Sequence, residues 1–255
     1  MAMIVERQEK IRRLLAQHGR LSTEALARRF QVAAMTIRRD FATLENTGHL
    51  TRTHGGCVPQ GRFTQERPFS EKVGHQTKQK IAIAGEVVRH ITPGCSVYLD
   101  TGTTAVQMAR AIPQDLELNI FTNNLSVAME LFGRKNINVI VYGGTLAGKS
   151  PDLVGEIAIA RVDEFRLDLA IIGADAVNAG EGAFYSTDTA TAVLSRTVQK
   201  HAARTFVMAD SSKFGRSGLT LAGRLTGKAT VFTDNGISAS DRAAMRKTGA
   251  KVICV

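Results

Sequence analysis

Arg38 and Arg39 stand side by side between two apolar residues, Ile37 and Phe41, inside the run Val32–Thr53, VAAMTIRRDFATLENTGHLTRT. Paired guanidinium groups on a helix can do two things to a nucleic acid. They can bond bidentately to guanine in the major groove, or they can hold phosphate and set the register without reading sequence. A helix turns about 100° per residue. With Ile37 taken as the inward direction, Phe41 and Leu44 fall within roughly 40° of it. Met35, Thr36, Arg38 and Arg39 then form an outward strip that suits a major groove. Met35, or the methyl of Thr36, could touch a thymine methyl. The spacing does not divide the two jobs between the arginines. Asp40 lies about 60° from the apolar face by the same rotation, where phosphates would repel it. The expectation is that it pairs with Arg28 or Arg29 inside the module.

A second kind of chemistry sits further along the chain. Five short polar clusters each follow an apolar run: Asp100-Thr101-Gly102-Thr103-Thr104, Thr122-Asn123, Gly143-Gly144, Gly173-Ala174-Asp175 and Asp210-Ser211-Ser212-Lys213. Gly102 would let the backbone come close to a ligand. Thr103 and Thr104 would open a helix whose free N–H groups favour an anion. Lys213 could add a cation, or be a surface lysine. Asp100 and Asp175 would repel phosphate, so they are read as binding hydroxyls or orienting the loops, and Asn123 could do the same. A phosphate end and a hydroxyl-rich end together describe a phosphorylated sugar or polyol.

The elements that must position these residues follow from periodicity and turn chemistry. Ile4, Ile11, Leu14 and Leu15 are spaced for one face of a first helix, which His18-Gly19-Arg20 ends. Ser22 can cap a second helix with Ala25, Leu26 and Phe30 on its inner face, and Ser22 is counted with the DNA-facing residues. Gln31-Val32-Ala33 makes the turn into the third helix. Leu50–Thr53 reads as a strand, His54-Gly55-Gly56 as a turn and Cys57-Val58 as the returning strand. Such a hairpin either forms a wing, with Arg52 and His54 beside the sugar-phosphate backbone, or merely closes the module.

Residues 59–76 read as a linker, broken by Gly61, Pro68 and Gly74, with a partly fixed segment at Arg67-Pro68-Phe69. From Lys78 onward strands and helices alternate. Ile81, Val87, Val88 and Ile91 suggest the first of these helices. Strands are expected at Ser96–Asp100, Leu118–Thr122, Val139–Tyr142, Leu169–Ile172, Phe206–Ala209, Val231–Thr233 and Val252–Val255. The fold class is therefore α/β: an N-terminal winged helix-turn-helix plus a mainly parallel, doubly wound sheet. Ligands bind such sheets at the carboxyl ends of the strands, where the five clusters lie. The division expected is 1–58 for DNA binding, 59–76 for the linker and 77–255 for a sensing domain.

Charge agrees with this division. Residues 1–58 carry 10 Lys and Arg against 5 Asp and Glu, and residues 81–255 carry 18 against 16, so the first 80 residues hold +8 of the net +10. A concentrated basic segment attracts polyanions and speeds their capture. No run of about eighteen apolar residues suggests a membrane span, and the start lacks the apolar core of a signal peptide. Cys57, Cys95 and Cys254 form no CxxC pair, so they are read as small packing residues rather than zinc ligands. An odd count without a signal peptide fits a cytoplasmic protein. No metal and no cofactor is expected.

The first half resembles the DeoR family of bacterial transcription repressors, on Leu21-Ser22, Glu24-Ala25-Leu26-Ala27, Phe30-Gln31-Val32, Thr36-Ile37-Arg38-Arg39-Asp40, Leu44-Glu45, Gly48 and Arg52-Thr53-His54-Gly55-Gly56. The five clusters of the second half, extended through Ala209 to Gly215, resemble the sensor domain of the same family. That domain is similar in fold to ribose-5-phosphate isomerase, so the resemblance implies a sugar-phosphate effector. It also implies a repressor of a carbohydrate or polyol catabolic operon, bound to double-stranded operator DNA as a homo-oligomer, dimer or tetramer. Two positions depart from the pattern. Ala33 stands where the family usually has a capping Ser, a loss of about 0.5–2 kcal/mol. Ser186–Thr197 lacks the Glu and Lys common along that helix.

Two other functions are weighed. A sugar-phosphate isomerase tethered to DNA needs a base beside a carbon-bound proton, and Asp100, Asp175 and Asp188 are the candidates, none with a clear partner. A non-specific architectural DNA binder leaves the five clusters unexplained. The reading adopted is a regulator with no catalytic residues.

Overall fold

Ile11, Leu14 and Leu15 close against Leu26, Ile37, Phe41 and Leu44 to form a small core of their own. The computed structural model describes residues 2–18, 21–53, 55–59, 68–216 and 218–255. The chain divides into two units, Met1–Thr64 and Gln65–Val255. The first contains α1 (Ala2–His18), β1 (Leu21–Ser22), α2 (Thr23–Phe30), α3 (Ala34–Asn46), β2 (Leu50–Thr53) and β3 (Gly56–Pro59). Gln31 ends α2 in the left-handed region, φ 52°, and turns the chain into α3. The three strands pair antiparallel in the order β1-β3-β2. Gly56 is required there, because a Cβ would sit 2.1 Å from the Leu21 carbonyl oxygen. The hairpin is thus the wing of a winged helix-turn-helix.

Three expectations in this unit change. Ile4 is 48% exposed, since the small core reaches only the second half of α1. Ala25 also faces solvent. Asp40 pairs with neither Arg28 nor Arg29. It is buried, and Arg7 of α1 reaches it through Nε to Oδ2 (2.5 Å) and Nη2 to Oδ1 (3.1 Å), while Gln8 Nε2 adds a third bond of 3.1 Å. A carboxylate withdrawn from water needs its partner on the side to which it is withdrawn. That side is α1, whereas Arg28 and Arg29 face solvent.

The second unit runs α4 (Phe69–Val73), α5 (Thr77–Val88), β4 (Ser96–Leu99), α6 (Gly102–Ala111), β5 (Leu118–Thr122), α7 (Leu125–Leu131), β6 (Ile137–Val141), β7 (Thr145–Leu146), β8 (Leu153–Val154), α8 (Glu156–Asp163) and β9 (Leu167–Gly173). It continues with β10 (Ala176–Asn178), β11 (Ala183–Ser186), α9 (Thr189–His201), β12 (Ala202–Met208), β13 (Thr220–Arg224), β14 (Ala229–Thr233), α10 (Ala239–Lys247) and β15 (Lys251–Cys254). Seven strands form one sheet in the order β15-β14-β12-β9-β4-β5-β6. Every neighbouring pair in it is parallel. Side chains alternate between its faces. Val97, Leu99, Leu169 and Ile171 pack with α5, α6 and α7. Tyr98, Ala170, Ile172 and Val207 pack on the other face with α8 and α9.

The seven expected strands are present, with ends shifted by a few residues. The antiparallel sheet β10-β11-β13 and the hairpin β7-β8 were not foreseen. Ile81 is 54% exposed, and the inner face of α5 is Lys80, Ile83, Ala84 and Val87. The expected linker holds α4, whose Phe69 packs against the core on the sheet face covered by α5, α6 and α7 and donates its N–H to the Lys149 carbonyl at 3.2 Å.

The order of the strands bears on where a ligand is expected. The chain leaves β4 towards β5 and β6 at one edge, then returns to β9 beside β4 and continues to β12, β14 and β15 at the other. The winding reverses between β4 and β9. In open parallel sheets the crevice at such a reversal, at the carboxyl ends of the strands, is where ligands bind.

Candidate functional site

The surface expected to face DNA is α3 with the wing. Ile37, Phe41 and Leu44 are buried, which fixes the rotation of α3. Met35 is 54% exposed, Arg38 and Arg39 are exposed, and Thr36 is half-buried at the edge of the strip. Ala33 caps α3 without a side-chain bond. Ser22 caps α2, its hydroxyl accepting from the Ala25 N–H at 3.5 Å. Arg52 is exposed but not independent. Its backbone N–H and its Nε donate to the two carboxylate oxygens of Glu45, at 2.9 and 2.7 Å. Glu45 therefore ties the wing to α3 and offsets part of the Arg52 charge. His54 lies outside the described residues. Cys57 is wholly buried in the core of this unit, and burial pushes its thiol up to about 11, as a packing residue requires.

At the winding reversal of the sheet, the carboxyl end of β4 is stitched to that of β9. Asp100 is buried, and its Oδ2 accepts from the Gly173 N–H at 2.9 Å. Tyr98 Oη lies 3.0 Å from Asp100 Oδ1 and 2.8 Å from Asn123 Oδ1, which joins in β5. Asn123 Nδ2 donates to the Leu153 carbonyl, and the Thr122 hydroxyl accepts from the Asn124 N–H. Asp100, Thr122 and Asn123 are thus the buried framework of the loops. Burial pushes the Asp100 carboxyl up to about 7, against the bonds from Thr101, Gly173 and Tyr98. Gly102, at φ +87°, turns the chain into α6, and Thr103 is buried at its start. Thr101 and Thr104 are half-buried, as are Gly143 and Gly144 after β6. A Cβ at Gly144 would meet the Val154 carbonyl oxygen at 2.6 Å, so Gly144 serves the packing of β8.

Asp175 lies on the other side of the reversal with a different environment. Its Oδ2 accepts from the Thr187 N–H (3.0 Å) and hydroxyl (2.8 Å), and its Oδ1 faces Lys72 Nζ at 3.4 Å. Burial would raise this carboxyl, but Lys72, Lys213 and Thr187 hold it down at about 2. Lys80 is buried nearby, and its ammonium donates to the Lys72 carbonyl at 2.6 Å. Burial, then Lys213 and Lys72, push it down to about 8, with Asp210 opposing. The sequence reading missed Lys72 and Lys80. Lys80 was within reach, because 80, 83, 84 and 87 follow helical spacing and place a lysine on an apolar face. For Lys72 there was no signal, since a five-residue helix has no readable period.

Asp188 caps α9, its Oδ1 accepting from the Thr191 N–H at 2.7 Å. With Asp100 bonded into the framework, Asp188 used as a cap and Asp175 paired with lysine, none of the three aspartates stands as an unengaged base.

Comparison with known proteins decides the family. Residues 7–60 match the DeoR-like helix-turn-helix domain, and residues 75–235 match the DeoR C terminal sensor domain. The chain belongs to the DeoR family. It is a DNA-binding transcription regulator, not an enzyme. It is 31% identical to the HTH-type transcriptional regulator YulB of Bacillus subtilis, over 99% of this chain and 97% of that protein. It is also 31% identical to the glycerol-3-phosphate regulon repressor of Escherichia coli, over 90% of each. Among solved structures, ribose 5-phosphate isomerase A of Methanocaldococcus jannaschii aligns over 54% of each chain at 20% identity, with a TM-score of 0.42. No helix among the described residues of this DeoR-family regulator is long and apolar enough to cross a membrane.

Proposed function

We propose that this regulator represses a carbohydrate or polyol catabolic operon and is controlled by a phosphorylated sugar or polyol. Operator DNA is held by Ser22, Met35, Thr36, Arg38, Arg39, Arg52 and His54. The effector binds between the ends of β4 and β9, at Asp100–Thr104, Gly173 and Asp175, with Lys213 supplying a cation. Thr122, Asn123, Gly143 and Gly144 support that crevice from β5 and β6. The protein works as a homo-oligomer, dimer or tetramer, in the cytoplasm, with residues 1–58 binding DNA, 59–76 linking and 77–255 sensing.

The observation that carries this reading is the meeting of Lys80 and Thr103 of the Gly102–Thr104 turn at the Lys72 carbonyl, with Lys213 within electrostatic reach of Lys80 and Asp175, at the winding reversal of a parallel sheet. Free N–H groups at the start of α6 and a cluster of ammonium groups both favour an anion. The repressor names of relatives, including the glycerol-3-phosphate regulon repressor, support the class of effector and of target.

The test is a gel-shift titration of the full chain on the DNA upstream of its own gene and on scrambled duplex, with and without a panel of sugar and polyol phosphates. A preference for its own upstream DNA, altered by one of the phosphates, is expected. Equal affinity for the two duplexes at every salt concentration overturns the regulator reading. Sequence preference that no phosphate in the panel alters overturns the effector assignment alone.

A further inference from the structure

Two donors from different elements converge on one backbone oxygen in the crevice. Lys80 Nζ of α5 donates to the Lys72 carbonyl at 2.6 Å, and the Thr103 hydroxyl of α6 donates to the same oxygen at 3.4 Å. Thr103 belongs to the anion-favouring turn, and Lys80 is buried. A buried ammonium is costly unless it is paired. A neutral carbonyl oxygen is a weaker partner for it than a charged one. The Lys72 carbonyl therefore occupies a position where an anionic oxygen would satisfy both donors better.

That carbonyl belongs to α4, five residues long, too short to hold as a helix on its own. Besides the packing of Phe69 on the sheet core, it is held by the pair of side-chain bonds to Lys72 O, the Lys72–Asp175 ion pair and the Phe69–Lys149 bond. The two donors to Lys72 O are the ones an anion would take. Phe69 and Val73 also border a cavity of about 400 Å³ shared with Val106 and Met129, so α4 has room to shift. In the sequence α4 directly follows the segment that joins the two units.

We propose that an anionic oxygen of the effector replaces the Lys72 carbonyl at Lys80 and Thr103, and that this exchange releases α4, the strap from which the chain leaves the sensor. The inference rests on the reading of this crevice as the effector site. It supplies the differential contact a ligand needs in order to shift a conformational equilibrium. The anion binds only the form in which α4 has let go. Asp210 acts on Lys80 only through its field, and among the described residues no carboxylate is bonded to this burial-depressed ammonium, in keeping with a cation that waits for an anion.

Hydrogen exchange of the full-length protein tests this without knowledge of the natural ligand. In Lys80→Met, with no anion added, amides of residues 69–75 are expected to exchange at least about tenfold faster than in the wild type. Thr103→Val is expected to act in the same direction by a smaller factor, which keeps the test decisive if the first variant folds poorly. Unchanged exchange of 69–75 in both variants overturns the strap. The second arm titrates the wild type with inorganic phosphate against chloride at matched ionic strength. Slower exchange at 102–104 together with faster exchange at 69–75 is the expected pattern. Protection of 102–104 with 69–75 unchanged overturns the exchange of ligands and leaves the effector site standing. Absence of protection at 102–104 throughout overturns both.

Discussion

Asp40→Ala should destabilise the DNA-binding unit without touching the strip proposed to read DNA. Asp40 is 3% exposed and takes three hydrogen bonds, two from Arg7 and one from Gln8. The Arg7 side chain is 16% exposed, and its guanidinium is pushed further up by its bond to Asp40. Breaking one side of a buried ion pair typically costs 3–5 kcal/mol. Arg7 can swing partly into water, so the lower end applies, about 3 kcal/mol. A unit of some sixty residues has only about 3–9 kcal/mol in all at roughly 0.05–0.15 per residue. The variant therefore loses a third of its stability or more, and its folded-to-unfolded ratio falls by about a hundredfold. The two units can be watched separately in the intact chain. It has no Trp, and its three tyrosines, Tyr98, Tyr142 and Tyr185, all lie in the second unit. Tyrosine fluorescence in a urea titration thus follows the sensor alone, while far-ultraviolet circular dichroism follows both. The expected result is an early dichroism transition that moves to lower urea, with an unmoved fluorescence transition. At low temperature, where the variant is still folded, operator affinity should stay near wild type, because Asp40 points at α1. A loss under about 1 kcal/mol would refute the reasoning and put the pair among ordinary surface ion pairs.

The rotation of α3 predicts that Arg39→Ala costs about 1–3 kcal/mol of operator binding if Arg39 reads a base; unchanged affinity in the gel shift would show the outward strip to be wrongly assigned. Glu45→Gln should release the Arg52 guanidinium and steepen the salt dependence of DNA binding by up to about one ion, whereas an unchanged slope would mean that Arg52 never meets phosphate. Lys80 keeps its proton only up to about pH 8 in the fold, against an ordinary value of 10.5. The unfolded chain binds more protons between those values, so the sensor should gain stability as pH rises through that window, by about 3 kcal/mol. A urea midpoint that falls over the same range relative to Lys80→Met would contradict the burial of that ammonium.

Much of this protein is readable from its sequence, for a definite reason. Ile37, Phe41 and Leu44 define a helical phase, so the outward strip follows from geometry alone. Apolar runs ending in Gly, Asp and Thr mark parallel strands and their loops. What escaped is what depends on partners distant in sequence. Asp40 was placed correctly relative to its own helix, but its partner is Arg7, 33 residues away on α1. Arg52 was read as a phosphate cation, and only the folded wing brings it to Glu45. The polar clusters could be placed at strand ends, yet which of those residues are framework and which face outward depends on burial. Thr122, which ends β5, and Asn123, which follows it, are as polar as the exposed residues and are nonetheless wholly buried.

That distinction bears most on Asp100, a carboxylate two positions before Gly102. Tyr98 Oη has one proton and lies within bonding distance of two oxygens, Asp100 Oδ1 and Asn123 Oδ1. Asn123 cannot turn its amide nitrogen to Tyr98 without losing the bond from Nδ2 to the Leu153 carbonyl. If Tyr98 donates to Asn123, the contact with Asp100 is a hydrogen bond only when Asp100 carries the proton. Asp100 Oδ2 is already an acceptor for Gly173 N–H, so that proton belongs on Oδ1. Burial drives the same way, holding the carboxyl at about 7 against an ordinary 3.8. The folded protein then binds more protons than the unfolded chain between these values, so stability should fall as pH rises from 3.8 towards 7. Asp100→Asn offers the same shape and an N–H donor in place of the O–H. It should abolish that slope and leave the sensor more stable than wild type above pH 7. A variant less stable than wild type at pH 8 would mean that Asp100 is ionised in the fold, and that the crevice tolerates its charge through some other compensation.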